Sequence, residues 1–401
     1  MSIKNTLLHK NLMCVIMFMG EIMITDNDIL TILNMLNSAG YKAYAVGGYV
    51  RNSLMGIEST DCDITTSAAP NEIIEVFSNH KVIKTGIKHG TVTVVYNNIP
   101  YEITTFRTES GYTDFRHPSK VEFVNDVYLD LSRRDFTVNA IAYNPTQGVV
   151  DPFNGIDDIK NNILRTVGDP KERFNEDALR ILRALRFASV LGFTIHNNTA
   201  AAINEMATTV ANISAERIYT ELKKLILGKH AVNVITQFKT AINKIIPIEK
   251  IPENFDLLPL DISMRFAALC GSSVLQALNR LKADNNTKEK CALLLSSKPI
   301  PNDIMAIKQY ISALGRENAA YVAKYRRIIF GEDKDCKIDD VLSKKYCLSI
   351  SELAINGADL INLGIESKNI GKILNNLLQL VINEKVSNER EALLFQAQNI
   401  K

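Results

Sequence analysis

The chain has 401 residues, 46% of them hydrophobic and 22% charged, which is the balance of a soluble globular protein with room for two to four domains. Its 46 basic and 44 acidic residues leave a net charge of +2, which excludes a nucleic-acid binder built on bulk basicity; RNA contact would have to come from local patches. No run approaches the roughly 18 apolar residues of a membrane span. The six cysteines (14, 62, 270, 291, 336 and 347) include no CxxC pair, which suits reduced thiols in a cytoplasmic protein rather than a disulfide framework or a zinc site.

In chain order, Leu12 to Met19 is a short apolar run after Lys4 and Lys10. It has the outline of a signal peptide, but it sits at the lower length limit. Glu21, Asp26 and Asp28 follow where a small-residue cleavage site would stand. An upstream extension of the reading frame, with Met17, Met19 or Met23 as the start, is the plainer reading. Asp28 to Ala39 reads as an amphipathic helix with Ile29, Ile32, Leu33 and Leu36 on one face. Tyr44 to Val46 is a short strand ending in Gly47-Gly48, and Val50 to Met55 is a helical turn stopped by Gly56. Cys62 to Thr65 is a second strand. Pro70 to Phe77 is a helix with proline in its first turn. Two β-rich runs, Gly90 to Tyr96 and Ile99 to Phe106, flank an Asn97-Asn98 hairpin signal.

After about Gly168 strand signals vanish and helical periodicity takes over. Asn175 to Val190 reads as one helix. Further helices cover Ala215 to Leu227, Ile262 to Leu281 with a break at Gly271, Ile304 to Leu314, and Asn369 to Asn383. The outline is a small α/β head followed by a long helical remainder.

Three constellations carry chemistry. Asp61 and Asp63 stand two apart at the start of a strand, so their carboxylates share a face and favour a cation between them. Mg²⁺ takes one or two such carboxylates plus substrate phosphates. Glu102, on the following hairpin, is a third acid, placed either to join the site or to face solvent from an amphipathic strand. Gly47-Gly48, between a strand and a short helix carrying Arg51, either cradles a phosphate with backbone N–H groups or is an ordinary strand-to-helix turn. Asp177, Arg180, Arg183 and Arg186 fall at i, i+3, i+6 and i+9, one drifting stripe of the expected helix. Such stacked arginines repel unless an acid or an anion sits opposite; the stripe is either a solvated face or, since apolar leucines lie close to it, a partly covered site. Cytosine and adenine both present an amine donor beside a ring-nitrogen acceptor, and a carboxylate beside a guanidinium complements that pattern. Guanine and uracil present the reverse and would leave buried groups unpaired.

The stretch Tyr44-Ala-Val-Gly-Gly-Tyr-Val-Arg51 followed by Asp61-Cys-Asp63 resembles the head of the class II tRNA nucleotidyltransferases and the related bacterial poly(A) polymerases. Ser132-Arg-Arg-Asp-Phe-Thr-Val-Asn-Ala-Ile-Ala142 is similar to their ribose-recognition motif. Arg173-Phe-Asn-Glu-Asp-Ala-Leu-Arg180, continuing through Arg183 and Arg186, is similar to their base-selecting helix. Glu352 to Leu360 resembles their tail. The resemblance implies an α+β chain: a nucleotidyltransferase head with a mixed sheet and helices over residues 23–165, then an all-α neck over 166–235, and a body and tail over 236–401 that bind tRNA. It implies Mg²⁺ held by Asp61 and Asp63, and CTP or ATP contacted by Gly48, Arg51, Arg134, Asp177, Arg180, Arg183 and Arg186. It implies no obligate protein partner. Asn52 stands where the family usually carries Asp, which removes a charge but no metal ligand. Tyr112-Thr-Asp-Phe-Arg-His-Pro118 resembles the flexible loop of enzymes that add all of CCA, and residues 386–401 lack the strongly basic tail of poly(A) polymerases. Template-independent addition of C, C and A to the tRNA 3′ end is therefore the expected activity, with A-only addition or poly(A) synthesis as the alternatives.

Overall fold

A computed structural model of the chain describes residues 26–59, 61–112 and 118–399. The apolar run at 12–19 and the centre of the 112–118 loop lie outside that set. The chain divides into two compact units between Ile245 and Ile246.

The first unit opens with α1 (Asn27–Ser38), where Asp26 accepts from the N–H groups of Asp28 and Ile29 and so caps the helix. Ile29, Ile32, Leu33 and Leu36 are its buried face, as the periodicity predicts. β1 (Ala43–Val46), α2 (Gly48–Leu54), β2 (Asp63–Thr66) and α3 (Pro70–Val76) follow, and then β3 (Lys81–Ile83), β4 (Thr91–Tyr96) and β5 (Ile99–Thr105). Asn97 and Asn98 both have positive φ, 46° and 65°, which is the geometry of a tight two-residue hairpin. β6 (Arg107–Tyr112) and β7 (Pro118–Phe123) form a separate ribbon. α4 (Val127–Ser132) leads on to the hairpin β8 (Ala142–Asn144) and β9 (Gly148–Val150).

The main sheet is seven-stranded and mixed, in the order β3-β4-β5-β2-β1-β8-β9. Only β2 and β5 run parallel. Tyr44, Val46, Phe106, Leu131 and Ala142 belong to one core cluster that ties β1 and β8 to α4. The central strands carry the acidic residues, Asp63 at the start of β2 and Glu102 in the middle of β5.

Beyond α5 (Gly155–Lys160), helices dominate: α6 (Pro170–Glu176), α7 (Leu179–Leu191), α8 (Asn197–Met206) and α9 (Ala215–Ile226). Two expectations need correction here. Strand does not vanish after Gly168, because Thr194–Ile195 pairs in parallel with Ile163–Leu164. The helix expected over 175–190 is two helices. Asp177 is extended, at φ −143° and ψ 104°, and breaks the chain between α6 and α7. Its carboxylate accepts from the Leu179 N–H, so it starts the second helix instead of riding on its stripe. α7 and α9 pack closely: a Cβ on Gly228 would meet the Ser189 backbone at 2.8 Å, and Ser189 Oγ donates to the Leu225 carbonyl.

The second unit is helical. Ile262–Cys270 and Val274–Arg280 are separated at Gly271, which has φ 47°, and Asn285–Ser296, Ile304–Leu314, Arg316–Phe330 and Ser367–Ile382 are its longer helices after them. Ile307, Ile311, Ala323, Ile338, Leu360 and Leu377 lie in its core. Among the described residues no helix is long and apolar enough to cross a membrane, and Cys62, Cys270, Cys291, Cys336 and Cys347 are free thiols.

Candidate active site

The acidic face lies where β2 begins. Asp61 and Asp63 are exposed on either side of buried Cys62, the alternation expected of an extended chain. The strand starts at Asp63, so Asp61 stands just ahead of it. Glu102 is the register partner of Asp63 across the parallel β2–β5 pair and is exposed on the same face. Desolvation raises the Asp63 carboxyl above its ordinary range; Arg134 opposes this and Asp61 adds to it. Among the described residues, no three His, Cys, Asp or Glu side chains converge as a metal cage.

The glycine turn sits beside this face. Gly47 has φ 74° and ψ −134°, a backbone region that L side chains avoid. A Cβ there would lie 2.9 Å from Arg134 Nη1 and 3.8 Å from Asp63 Oδ2, so the missing side chain is what lets Arg134 lie across the turn next to Asp63. Arg134 is steadied by fully buried Asp130, 3.7 Å from its Nη2. Its Nε is buried with no hydrogen-bond acceptor among the described residues. Gly48 begins α2, and Arg51 in the next turn is 7% exposed. Arg51 donates from Nε (3.1 Å) and Nη2 (2.8 Å) to the Asn52 side-chain oxygen, and from Nη1 to Asn139. Asn52 therefore orients Arg51 without cancelling its charge. Burial brings the Arg51 guanidinium down to about 10; Asp135 opposes the shift, and Arg186 and Arg183 add to it.

The arginine row of α7 meets its counter-acids, as like-charge repulsion requires. Arg180 pairs with Glu176, and it donates to the backbone carbonyls of Arg173 (3.2 Å) and Arg133 (3.0 Å). Arg183 binds Asp135 Oδ2 at 2.6 Å from Nη2 and 2.8 Å from Nε. Arg186 lies 3.2 Å from Glu221 Oε2. Asp177 binds Arg217 at 2.8 Å and makes no side-chain bond to Arg180. α9 thus clamps both ends of the row, through Arg217 and Glu221 one turn apart. The Asp177 and Arg180 side chains are not spent on each other.

Asp135, Glu176, Arg217, Glu221 and Phe187 are missing from the sequence-based set. Asp135 lies inside the quoted 132–142 motif, but its partner is 48 residues away. Glu221 offers a signal: it is an acid on the otherwise apolar face of a strongly amphipathic helix, where it is 6% exposed. For Asp135, burial alone would raise the carboxyl. Arg183, hydrogen bonds from Asn139 and Arg183, and the Arg180 charge outweigh burial and bring it from 3.8 down to about 2. A depressed carboxyl stabilises fully above its unfolded pKa, and that contribution is lost as pH falls through its folded value, here between pH 4 and 2. At roughly 1.4 kcal/mol per unit, Asp135→Asn should cost about 2 kcal/mol at pH 7. Denaturant unfolding followed down in pH should show the gap to wild type closing below pH 4; a gap constant down to pH 2 would contradict this.

A mixed sheet that sets an acidic pair beside a glycine turn, with a row of arginines on α7, has the parts of a nucleotidyltransferase, and the likeness to known proteins gives the chain that class. Residues 43–165 match the poly A polymerase head domain, 192–240 the RNA and SrmB-binding site of polymerase A, and 266–397 the tRNA nucleotidyltransferase domain 2. The CCA-adding enzyme of Ligilactobacillus salivarius is 38% identical over 392 residues, covering 92% of this chain and 96% of that one. That of Pediococcus pentosaceus is 36% identical over 384 residues, with the same coverage of each. The crystal structure of the Bacillus stearothermophilus CCA-adding enzyme in complex with CTP superposes with a TM-score of 0.76 at 32% identity, covering 93% of this chain and 96% of that one. The chain belongs to the class II tRNA nucleotidyltransferase family of CCA-adding enzymes.

Proposed function

We propose that this enzyme adds C, C and A to the 3′ end of tRNA from CTP and ATP, without a nucleic-acid template, in the cytoplasm. The observation that carries the reading is its end-to-end likeness to CCA-adding enzymes, over 92% of the chain. The acidic pair and the arginine row lie within the matched length. We assign residues 23–165 to the head, 166–235 to the neck, and 236–401 to a body and tail that hold tRNA.

Asp61 and Asp63 fit Mg²⁺, which is held through one or two carboxylates and substrate phosphates rather than a full protein cage. When bound, it lowers the pKa of the tRNA 3′-hydroxyl and neutralises the triphosphate and the leaving pyrophosphate. Glu102, on the same face, adds negative potential there. The buried, unpartnered Nε of Arg134 suits an anionic ligand over the glycine turn. Gly48 admits the phosphates, and Arg51, Arg134, Arg183 and Arg186 supply positive charge along them. Asp177 accepts from the exocyclic amine of C or A while Arg180 donates to the ring nitrogen. The 3′-oxygen then bonds to the α-phosphorus, the α–β bridging bond breaks, and pyrophosphate leaves. Chelation of divalent metal in a mixture of enzyme, trimmed tRNA, CTP and ATP should halt extension, and added Mg²⁺ should restore it. Extension that continues in excess chelator would remove Asp61 and Asp63 from the metal role.

A further inference from the structure

Phe187 is the one aromatic residue among those that the sequence-based set lacks and the fold places among the arginines. Three guanidinium carbons surround its ring: Arg186 at 4.1 Å from the centroid, Arg51 at 5.1 Å and Arg183 at 5.5 Å. These arginines come from two elements, α2 and α7, and the ring is their shared contact. Phe187 is itself braced edge-on against fully buried Phe136, with centroids 5.7 Å apart at 80°. An aromatic face attracts cations through its quadrupole. Unlike a carboxylate, it does so without cancelling their charge.

That difference matters most for Arg51. Arg183 has Asp135 and Arg186 has Glu221, but Arg51 bonds only to the neutral amides of Asn52 and Asn139 and has no ion pair among the described residues. A third carboxylate at the hub would pair Arg51 as well and spend the one charge that no acid already balances. We propose that Phe187 is a positioning residue that gathers Arg51, Arg183 and Arg186 into one cradle for the nucleotide's phosphates while leaving the charge of Arg51, which no acid pairs, available. This rests on the assignment of those arginines to nucleotide binding. The ring contributes to phosphate affinity and takes no part in choosing the base.

The test uses the full chain with Mg²⁺. It measures equilibrium binding of inorganic tripolyphosphate, KM and kcat for CTP and ATP on trimmed tRNA, and the melting temperature. Phe187→Leu should weaken tripolyphosphate binding and raise both KM values by about five- to tenfold, with kcat and the preference for C and A over U and G unchanged. Phe187→Tyr, which keeps the ring face, should stay within about twofold of wild type. Phe187→Met also lacks a ring and its flexible chain fills irregular gaps; it should behave as Leu does, and it carries the test if the Leu variant does not fold. Wild-type binding in Leu or Met, or an equal loss in Tyr, overturns the proposal, since packing alone would then explain the residue. Arg51→Gln and Arg183→Gln separate the two levels. If they bind tripolyphosphate as wild type does, the nucleotide-binding reading of the arginines is what fails. If they lose binding and the Phe187 variants do not, only the role of Phe187 fails.

Discussion

Replacing Asp61 or Asp63 by alanine is expected to cut transfer of both C and A by about a thousandfold or more while tRNA binding stays within about threefold. The magnitude follows from the chemistry. A metal ion at the reacting phosphate supplies several kcal/mol of charge stabilisation, and each ~1.4 kcal/mol is tenfold in rate. The selectivity of the effect follows from position. Both carboxylates are exposed where β2 begins, so alanine removes charge without opening a cavity in the core. Single-turnover transfer and filter binding of trimmed tRNA, measured side by side, decide it. Loss of binding with retained chemistry would contradict the metal assignment.

The second large effect concerns base choice. Arg180→Ala should relax the preference for CTP and ATP over UTP and GTP by about ten- to a hundredfold, because a hydrogen bond from a charged donor contributes roughly 1.5–3 kcal/mol. Arg180 is 9% exposed and anchored to Glu176 and to the Arg133 carbonyl, so its direction is fixed before a nucleotide arrives. Glu176→Gln loosens that anchor without removing the guanidinium and should relax base choice less, in the same direction. Incorporation of each nucleotide supplied singly measures both variants. An Arg180→Ala enzyme that keeps full discrimination while losing overall turnover would place the residue in folding instead of base reading.

How much of this was legible in the sequence depends on the scale of the signal. The acidic pair, the glycine turn and the Asn97-Asn98 hairpin are written in neighbouring residues, and each was readable there. The strands Lys81–Ile83, Ala142–Asn144 and Gly148–Val150 are three residues long, too short for a period of two to stand out, although they complete the sheet. The break at Asp177 was hidden for another reason. Neither glycine nor proline marks it, and Asp177 itself falls in the same three-residue spacing as Arg180, Arg183 and Arg186. The sign that was present is Asp itself, a residue favoured immediately before a helix starts. The counter-acids were anticipated in kind, since stacked arginines demand them, but not by number. Asp135 and Arg183 are 48 residues apart and Glu221 and Arg186 are 35 apart, and only the packing of α7 against its neighbours brings them together. Phe187 carried no signal at all: a phenylalanine on an amphipathic helix reads as core, and its role rests on three arginines reaching it in space.

The most direct test of the account supplies purified enzyme and Mg²⁺ with tRNA transcripts lacking either the whole CCA end or only its last A. Nucleotides are given singly and in mixture, and products are resolved to one nucleotide. CTP alone should add two residues to the fully trimmed tRNA, ATP alone should add one to the tRNA ending in CC, and the mixture should give C, C, A and then arrest. Addition of A only, a long A tail, or incorporation of U or G at comparable rates would contradict it.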